Sequence, residues 1–250
     1  MTALAAIINR SVEDDQRVDV YFNTSKAQLG ISLESGDSTG GTVGDWQTDD
    51  DDYNGYILNP SEMAGIFYRG LPFVAAVTIP KLPQNEIQTQ NQISLVAPVY
   101  KKLTTTSLDH SRIAISLGAW YDPEENKRHV VFQGSGLSEY IVEDDTYNVF
   151  VATYGPNTTL AAVYSSATKK AYVYYLDSAQ AIQRVVKTGI TWGVSTPVSS
   201  ALKVAAGCQL TVVNANNINH LFYTAQNQSS SSGAEASGFD LFTHFRDPVN

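Results

Sequence analysis

The chain has 250 residues and carries 25 acidic against 16 basic side chains, a net charge of −9, with lysines and arginines scattered singly; nucleic acid and anionic membrane surfaces are therefore poor partners on electrostatic grounds. An apolar fraction of 43% with 16% charged residues argues against disorder, and the wealth of Thr, Val, Ile and Tyr favours strands over helices. The length suits one all-β domain over residues 1–250.

Self-similarity at a period of about 50 residues organises the chain. The first unit pairs an apolar strand at 5–8 with a second at 18–23 and a third at 28–33. Beyond it, Asp49 to Asp52 form a like-charge run that lacks the Gly and distal Glu of a calcium loop and reads as a solvated loop. The second unit pairs 56–58 with 65–69, followed by 73–79, and the third pairs 113–116 with 129–133, followed by 137–142. The fourth pairs 160–164 with 172–176, followed by 181–186; the fifth pairs 210–213 with 220–224, followed by 239–245. Turn-forming groups such as Asp122-Pro123-Glu124 and Asn214 to Asn217 separate the paired strands. Residues 226–238, rich in Ser, Gln and Ala, read as a mobile loop between strands of the last unit.

Units of this size suit four-stranded blades, which predicts a β-propeller of about five blades; the long interval between the second and third units leaves room for six. Small residues at Ala5-Ala6, Ala161-Ala162 and Ala205-Ala206-Gly207 suit inner strands at a crowded axis. Cys208 is the one cysteine. It forms no internal disulfide and reads as a buried structural thiol in the apolar run 204–213. Sequons at Asn23, Asn157 and Asn227 allow glycosylation on a secretory route without fixing the compartment. No cationic leader with a hydrophobic core and no bilayer-long apolar run is seen, so the expectation is a soluble protein.

The repeats, with aromatic-tipped second strands, the segment Lys127 to Tyr140 and the Trp-containing ends Gly44-Asp45-Trp46 and Thr191-Trp192-Gly193, resemble the fungal fucose-specific lectins, which usually have six blades. That resemblance implies a sugar clamp in each blade: an arginine on the second strand, an acid or amide on the third, and stacking aromatics. The guanidinium supplies paired donors, the acid accepts from hydroxyls, and the ring covers the apolar sugar face. Here the arginine position reads Asp19, Gly65, His129, Tyr172 and His220. Arg128 with Glu139 is the nearest substitute, although strand alternation turns Arg128 to the face opposite His129.

No catalytic or metal-binding motif is present, and no cofactor is implied. His129, His220 and Tyr172 are the candidate proton donors, with Tyr21, Tyr68, Tyr174 and Tyr223 as ligand-orienting groups beside Arg128 and Glu139; each also has a plain packing role on a strand. His244 and Arg246 alternate toward one face of the last strand. Three readings stay open. By analogy with fungal hetero-Diels–Alderases, the protein is a cofactor-free enzyme that joins a quinone methide to a terpene alkene, held in register with a donor at the developing oxyanion. The alternatives are a fucose lectin with few sites and a protein-interaction propeller. Oligomeric state is not legible.

Overall fold

The computed structural model describes residues 4–8, 18–23, 29–34, 42–44, 56–58, 61–79, 91–104, 115–156, 158–226 and 242–249. Among them every helix-or-strand element is a strand, so no described helix is long and apolar enough to cross a membrane. The acidic run at 49–52, the sequons at Asn157 and Asn227, Trp46 and the stretch 227–238 lie outside the described residues.

The strands form five antiparallel sheets in chain order, the architecture of a β-propeller. Blade 1 holds β1 (Leu4–Ile8), β2 (Val18–Asn23), β3 (Leu29–Glu34) and β4 (Thr42–Gly44). Blade 2 holds β5 (Tyr56–Ile57), β6 (Met63–Tyr68), β7 (Leu71–Ile79), β8 (Gln92–Ala97) and β9 (Lys101–Thr104), with β5 and β6 both pairing with β7. Blade 3 is β10 (Leu117–Asp122), β11 (Lys127–Gln133), β12 (Leu137–Ile141) and β13 (Thr146–Val151). Blade 4 is β14 (Ala161–Ser165), β15 (Lys170–Leu176), β16 (Ile182–Thr188), β17 (Thr191–Trp192) and β18 (Thr196–Pro197). Blade 5 is β19 (Leu210–Ala215), β20 (Ile218–Tyr223) and β21 (Thr243–Pro248).

Strand character follows from how many neighbours cover a blade. The second strands β11 and β15 are buried along nearly their whole length, because a blade in mid-ring has a neighbour on each face and reads as a continuous apolar run. By contrast β20 alternates half-buried and buried residues, as a sheet covered on one face does. Four core clusters fill the four junctions between consecutive blades. Ile7 and Tyr21 meet Val74 and Ala76 between blades 1 and 2, and Ala75 and Leu95 meet Phe132 and Val142 between blades 2 and 3. Trp120 and Val131 meet Val173 and Val185 between blades 3 and 4, while Tyr174 and Leu176 meet Leu221 and Tyr223 between blades 4 and 5.

Three assignments from sequence are corrected. In blade 2 the inner strand is β6 and the second strand is β7, so Gly65 and 73–79 each move one strand inward. In blade 3 the inner strand is Leu117–Asp122, with Ile115 and Ser116 of the expected 113–116 strand preceding it and 113–114 outside the described residues. Ala205-Ala206-Gly207 form a loop, with Gly207 at a φ of 75°, and Cys208 follows them half-buried against the core between blades 4 and 5. Asn23, first residue of a sequon, is buried and donates from Nδ2 to the Ile57 carbonyl at 3.4 Å.

Small residues are needed where inner strands meet. A Cβ on Gly118 would stand 2.9 Å from the Ala162 Cβ and 3.0 Å from Val131 Cγ2. Gly118→Val is therefore expected to cost about 1–3 kcal/mol by overpacking, read as a lower urea midpoint at unchanged slope.

Candidate functional site

Strand register fixes the position equivalent to the clamp arginine in every blade. The second-strand residues opposite Ile7, Ile66, Trp120, Val163 and Val213 are Asp19, Phe73, His129, Tyr172 and His220. Phe73 thus replaces Gly65 in the series, and none is arginine. Two residues along, Tyr21, Ala75, Val131, Tyr174 and Phe222 stand opposite Ile31, Leu95, Glu139, Arg184 and His244 on the third strands. Residues directly paired in this way share a face of their sheet, and in blades 1 to 4 that face meets the next blade.

In blade 3 the face is closed by a polar cluster. Glu139 Oε1 lies 2.7 Å from His129 Nδ1 and accepts from Lys187 Nζ of blade 4 at 2.5 Å; its Oε2 accepts from Trp192 Nε1 at 2.9 Å. His129, Glu139 and Lys187 are 1%, 2% and 5% exposed, so the cleft holds a lysine ammonium and no room for a sugar. Trp120 stacks on His129 at 4.7 Å and Phe150 on Trp192 at 3.9 Å. Burial raises the Glu139 carboxyl, but the hydrogen bonds and charges of His129 and Lys187 outweigh it and hold the group below its ordinary range.

Blade 4 repeats the device with the charges reversed. Arg184 Nη1 donates to Asp247 of blade 5 at 2.9 and 2.8 Å, while the Tyr174 hydroxyl donates to Asp247 Oδ2 at 2.6 Å and accepts from Asn219 Nδ2 at 2.8 Å. Burial first, then Asp247, pushes the Tyr174 hydroxyl well above the usual phenol range. In blade 2 the equivalent residue, Leu95, joins Val142 in an apolar cluster.

Arg128 points the other way, as alternation requires. Its Nε donates to Glu143 Oε1 at 2.7 Å, and its guanidinium lies 4.8 Å from the Tyr68 ring centre and 4.1 Å from that of Phe73. It therefore closes the junction of blades 2 and 3, and never meets Glu139.

Blade 5 is the exception, because its equivalent face is open. The cross-strand rows Val213–His220–Arg246 and Thr211–Phe222–His244 lie on the face away from blade 4, with Val213 51% exposed and Phe242, in line with His244, 62% exposed. Phe222 stacks on His244 at 4.7 Å, and His220 Nδ1 lies 2.8 Å from His244 Nε2. Blade 1 also has one open face. Leu4, Ala6 and Ile8 pair with Phe22, Val20 and Val18, Leu4 and Ile8 are about half exposed at 53% and 52%, and this face is wholly apolar in β1 and β2.

Both open faces border an axial channel of about 410 Å³, within the size range of small-molecule sites. Its walls are the inner strands of all five blades, including Leu4, Ala6, Thr211 and Val213. One end carries Glu62, which accepts from the hydroxyls of Ser116 and Thr159, from the Leu117 backbone N–H and from Gln209. The Ser116 and Thr159 hydroxyls also accept the N–H groups of Leu160 and Leu210 in the following blades at 2.6 and 3.2 Å. Desolvation outweighs these donors and pushes Glu62 up to about 7. Four donors fill the lone-pair sites of a carboxylate, so Glu62 ties the blades together more than it offers itself to a ligand.

The candidate residues therefore do not converge. His129 sits between blades 3 and 4; Tyr172, Tyr174 and Tyr223 sit in the core between blades 4 and 5; His220 faces the open side of blade 5. Tyr21 is buried between blades 1 and 2, where burial and then the Asp19 charge push it up to about 12. The Tyr68 hydroxyl reaches Asn126 at 3.4 Å on the rim between blades 2 and 3. Sequence reasoning missed Glu62, Lys187, Phe222 and Trp120. Among the described residues no group of three His, Cys, Asp or Glu is placed to hold a metal ion.

Solved structures share this fold at low identity. The lectin of Aleuria aurantia, described as a six-bladed β-propeller with a novel fucose recognition mode, superposes with a TM-score of 0.65 at 13% identity, over 90% of this chain and 72% of that one. The protein AofleA of Arthrobotrys oligospora gives 0.60 at 14% identity, over 90% and 66%. The SapL1 lectin, solved with alpha-methyl fucoside, gives 0.56 at 13% identity, over 90% and 73%. The chain thus spans about two thirds to three quarters of the length of these propellers. No protein-family model matches the sequence, and no curated protein matches it.

Proposed function

We propose that the protein binds a small, largely apolar molecule in the axial channel and the wedge between the open faces of blades 1 and 5. The observation that carries this is the contrast between junctions: the clamp-equivalent faces of blades 3 and 4 are closed by inter-blade ion pairs, whereas blades 1 and 5 expose Leu4, Ile8, Val213 and Phe242 beside a channel of about 410 Å³. An apolar wall opposite a face of rings and nitrogen donors matches the usual composition of a small-molecule site. Cycloaddition of a quinone methide with a terpene alkene is a finer form of the same reading. Its donor would then be His220, the one candidate histidine on this face, in place of the enclosed His129 and Tyr172.

The first test is thermal midpoint against a panel of terpene and polyketide ligands and L-fucose. A ligand at a hundred times its Kd stabilises by about 2.7 kcal/mol, and we expect such a shift with apolar ligands. Val213→Trp, at an exposed position on the wedge, is expected to abolish it, and a turnover assay on the ligands that bind then tests the cycloaddition. A shift with L-fucose alone sinks this reading in favour of a lectin. No shift at all favours the interaction scaffold.

A further inference from the structure

We infer that the ligand of the wedge is an amphipathic organic acid, its apolar body against blade 1 and its carboxylate on the His220–Arg246–His244 face of blade 5. This rests on the binding site proposed above and assigns its polar end. In a chain of net charge −9, the open face of β19–β21 gathers three nitrogen-bearing groups and no carboxylate. Its β19 row is Thr211, Val213 and Ala215, its β20 row Ile218, His220 and Phe222, and its β21 row His244, Arg246 and Pro248. The nearest acid on these strands, Asp247, points to the opposite face and is held by Arg184.

Arg246 is exposed and makes no ion pair with a described residue, so its planar fork is available to a carboxylate. His220 Nδ1 and His244 Nε2 lie 2.8 Å apart, so one ring donates to the other across the face. They stand on the same face, one paired with Arg246 and the other with Phe222. On the two inner strands of blade 1 the corresponding residues are Leu4, Ala6, Ile8, Val18, Val20 and Phe22, which hold no charge, and the register continues on β3 with Gly30, Ser32 and, at the end far from Leu4, Glu34. One wall thus selects an apolar body and the other an anionic head.

The probe pair is 2-naphthoate and its neutral relative 2-naphthylmethanol, titrated calorimetrically into the full chain at low ionic strength. We expect the acid to bind about tenfold more tightly, the effect of one charge-assisted hydrogen-bonded contact. Arg246→Gln, an exposed site whose change leaves the core intact, is expected to erase that preference and leave the alcohol's affinity unchanged. Equal affinities for both probes overturn the assignment of the head while the wedge stands as a site. Binding of neither overturns both, and a dimer by sedimentation that binds neither gives the wedge to a second copy of the chain.

Discussion

Lys187→Met is expected to lower stability by about 3–5 kcal/mol, the range seen when one partner of a buried ion pair is removed. Glu139 would keep its 2% exposure and lose the ammonium that, with His129, holds its carboxyl below the ordinary range. The pH dependence follows in sign. In the wild type the depressed carboxyl contributes stability that is present above its unfolded value and lost as pH falls through the lower folded value. In the variant that contribution disappears, so the gap to wild type should be wide at pH 7 and narrow in acid, measured by urea unfolding. Replacing both partners, Glu139→Leu with Lys187→Met, should recover part of the loss: it removes the unpaired buried charge but leaves His129 Nδ1 and the Trp192 Nε1 donor without their partner. A Lys187→Met loss under about 1 kcal/mol at pH 7 would falsify the view that this cleft is held shut by its ion pair.

The propeller was legible because its hairpins are local. In blades 1, 4 and 5 an apolar run, a polar turn and a second run with a tyrosine map onto the paired strands within a residue or two. Blade 2 went out of frame because Tyr56-Ile57 looks like an inner strand and pairs with β7 beside the true one. The better signal was Arg69-Gly70 between two apolar runs: both have positive φ, 49° and 84°, the requirement of a tight two-residue hairpin turn. The site was less legible because it depends on which blade faces meet. A single lysine in a strand reads as solvent-facing, and only the neighbouring blade shows Lys187 reaching back to Glu139. His129 and His220 occupy equivalent positions, yet one is enclosed by the next blade and the other faces the wedge. Glu62 hides in a turn-like Pro-Ser-Glu, and it shows itself only when the residues preceding the inner strands, Glu62, Ser116, Thr159 and Gln209, are aligned.

That ring of polar residues yields the second large effect. Glu62→Ala is expected to cost about 2–4 kcal/mol, because it strips the acceptor from the Ser116 and Thr159 hydroxyls, the Leu117 N–H and Gln209 together, and each buried donor left unpaired carries about 1–3 kcal/mol. Losses within one network do not add in full. Glu62→Gln separates hydrogen bonding from charge. Desolvation raises the wild-type carboxyl to about 7, above its unfolded value. Its contribution is therefore fully present below the unfolded pKa, declines between about pH 4.5 and 7, and is lost as pH rises through the folded pKa. The glutamine variant carries no titrating group there, so its melting temperature should fall less than that of the wild type between pH 5 and pH 8. Parallel profiles for the two proteins would show that Glu62 is ionised throughout, with its four donors outweighing desolvation. The hub would then be a fixed charge at the end of the channel, and a cationic ligand, drawn by that charge, would become the natural occupant in place of an acid.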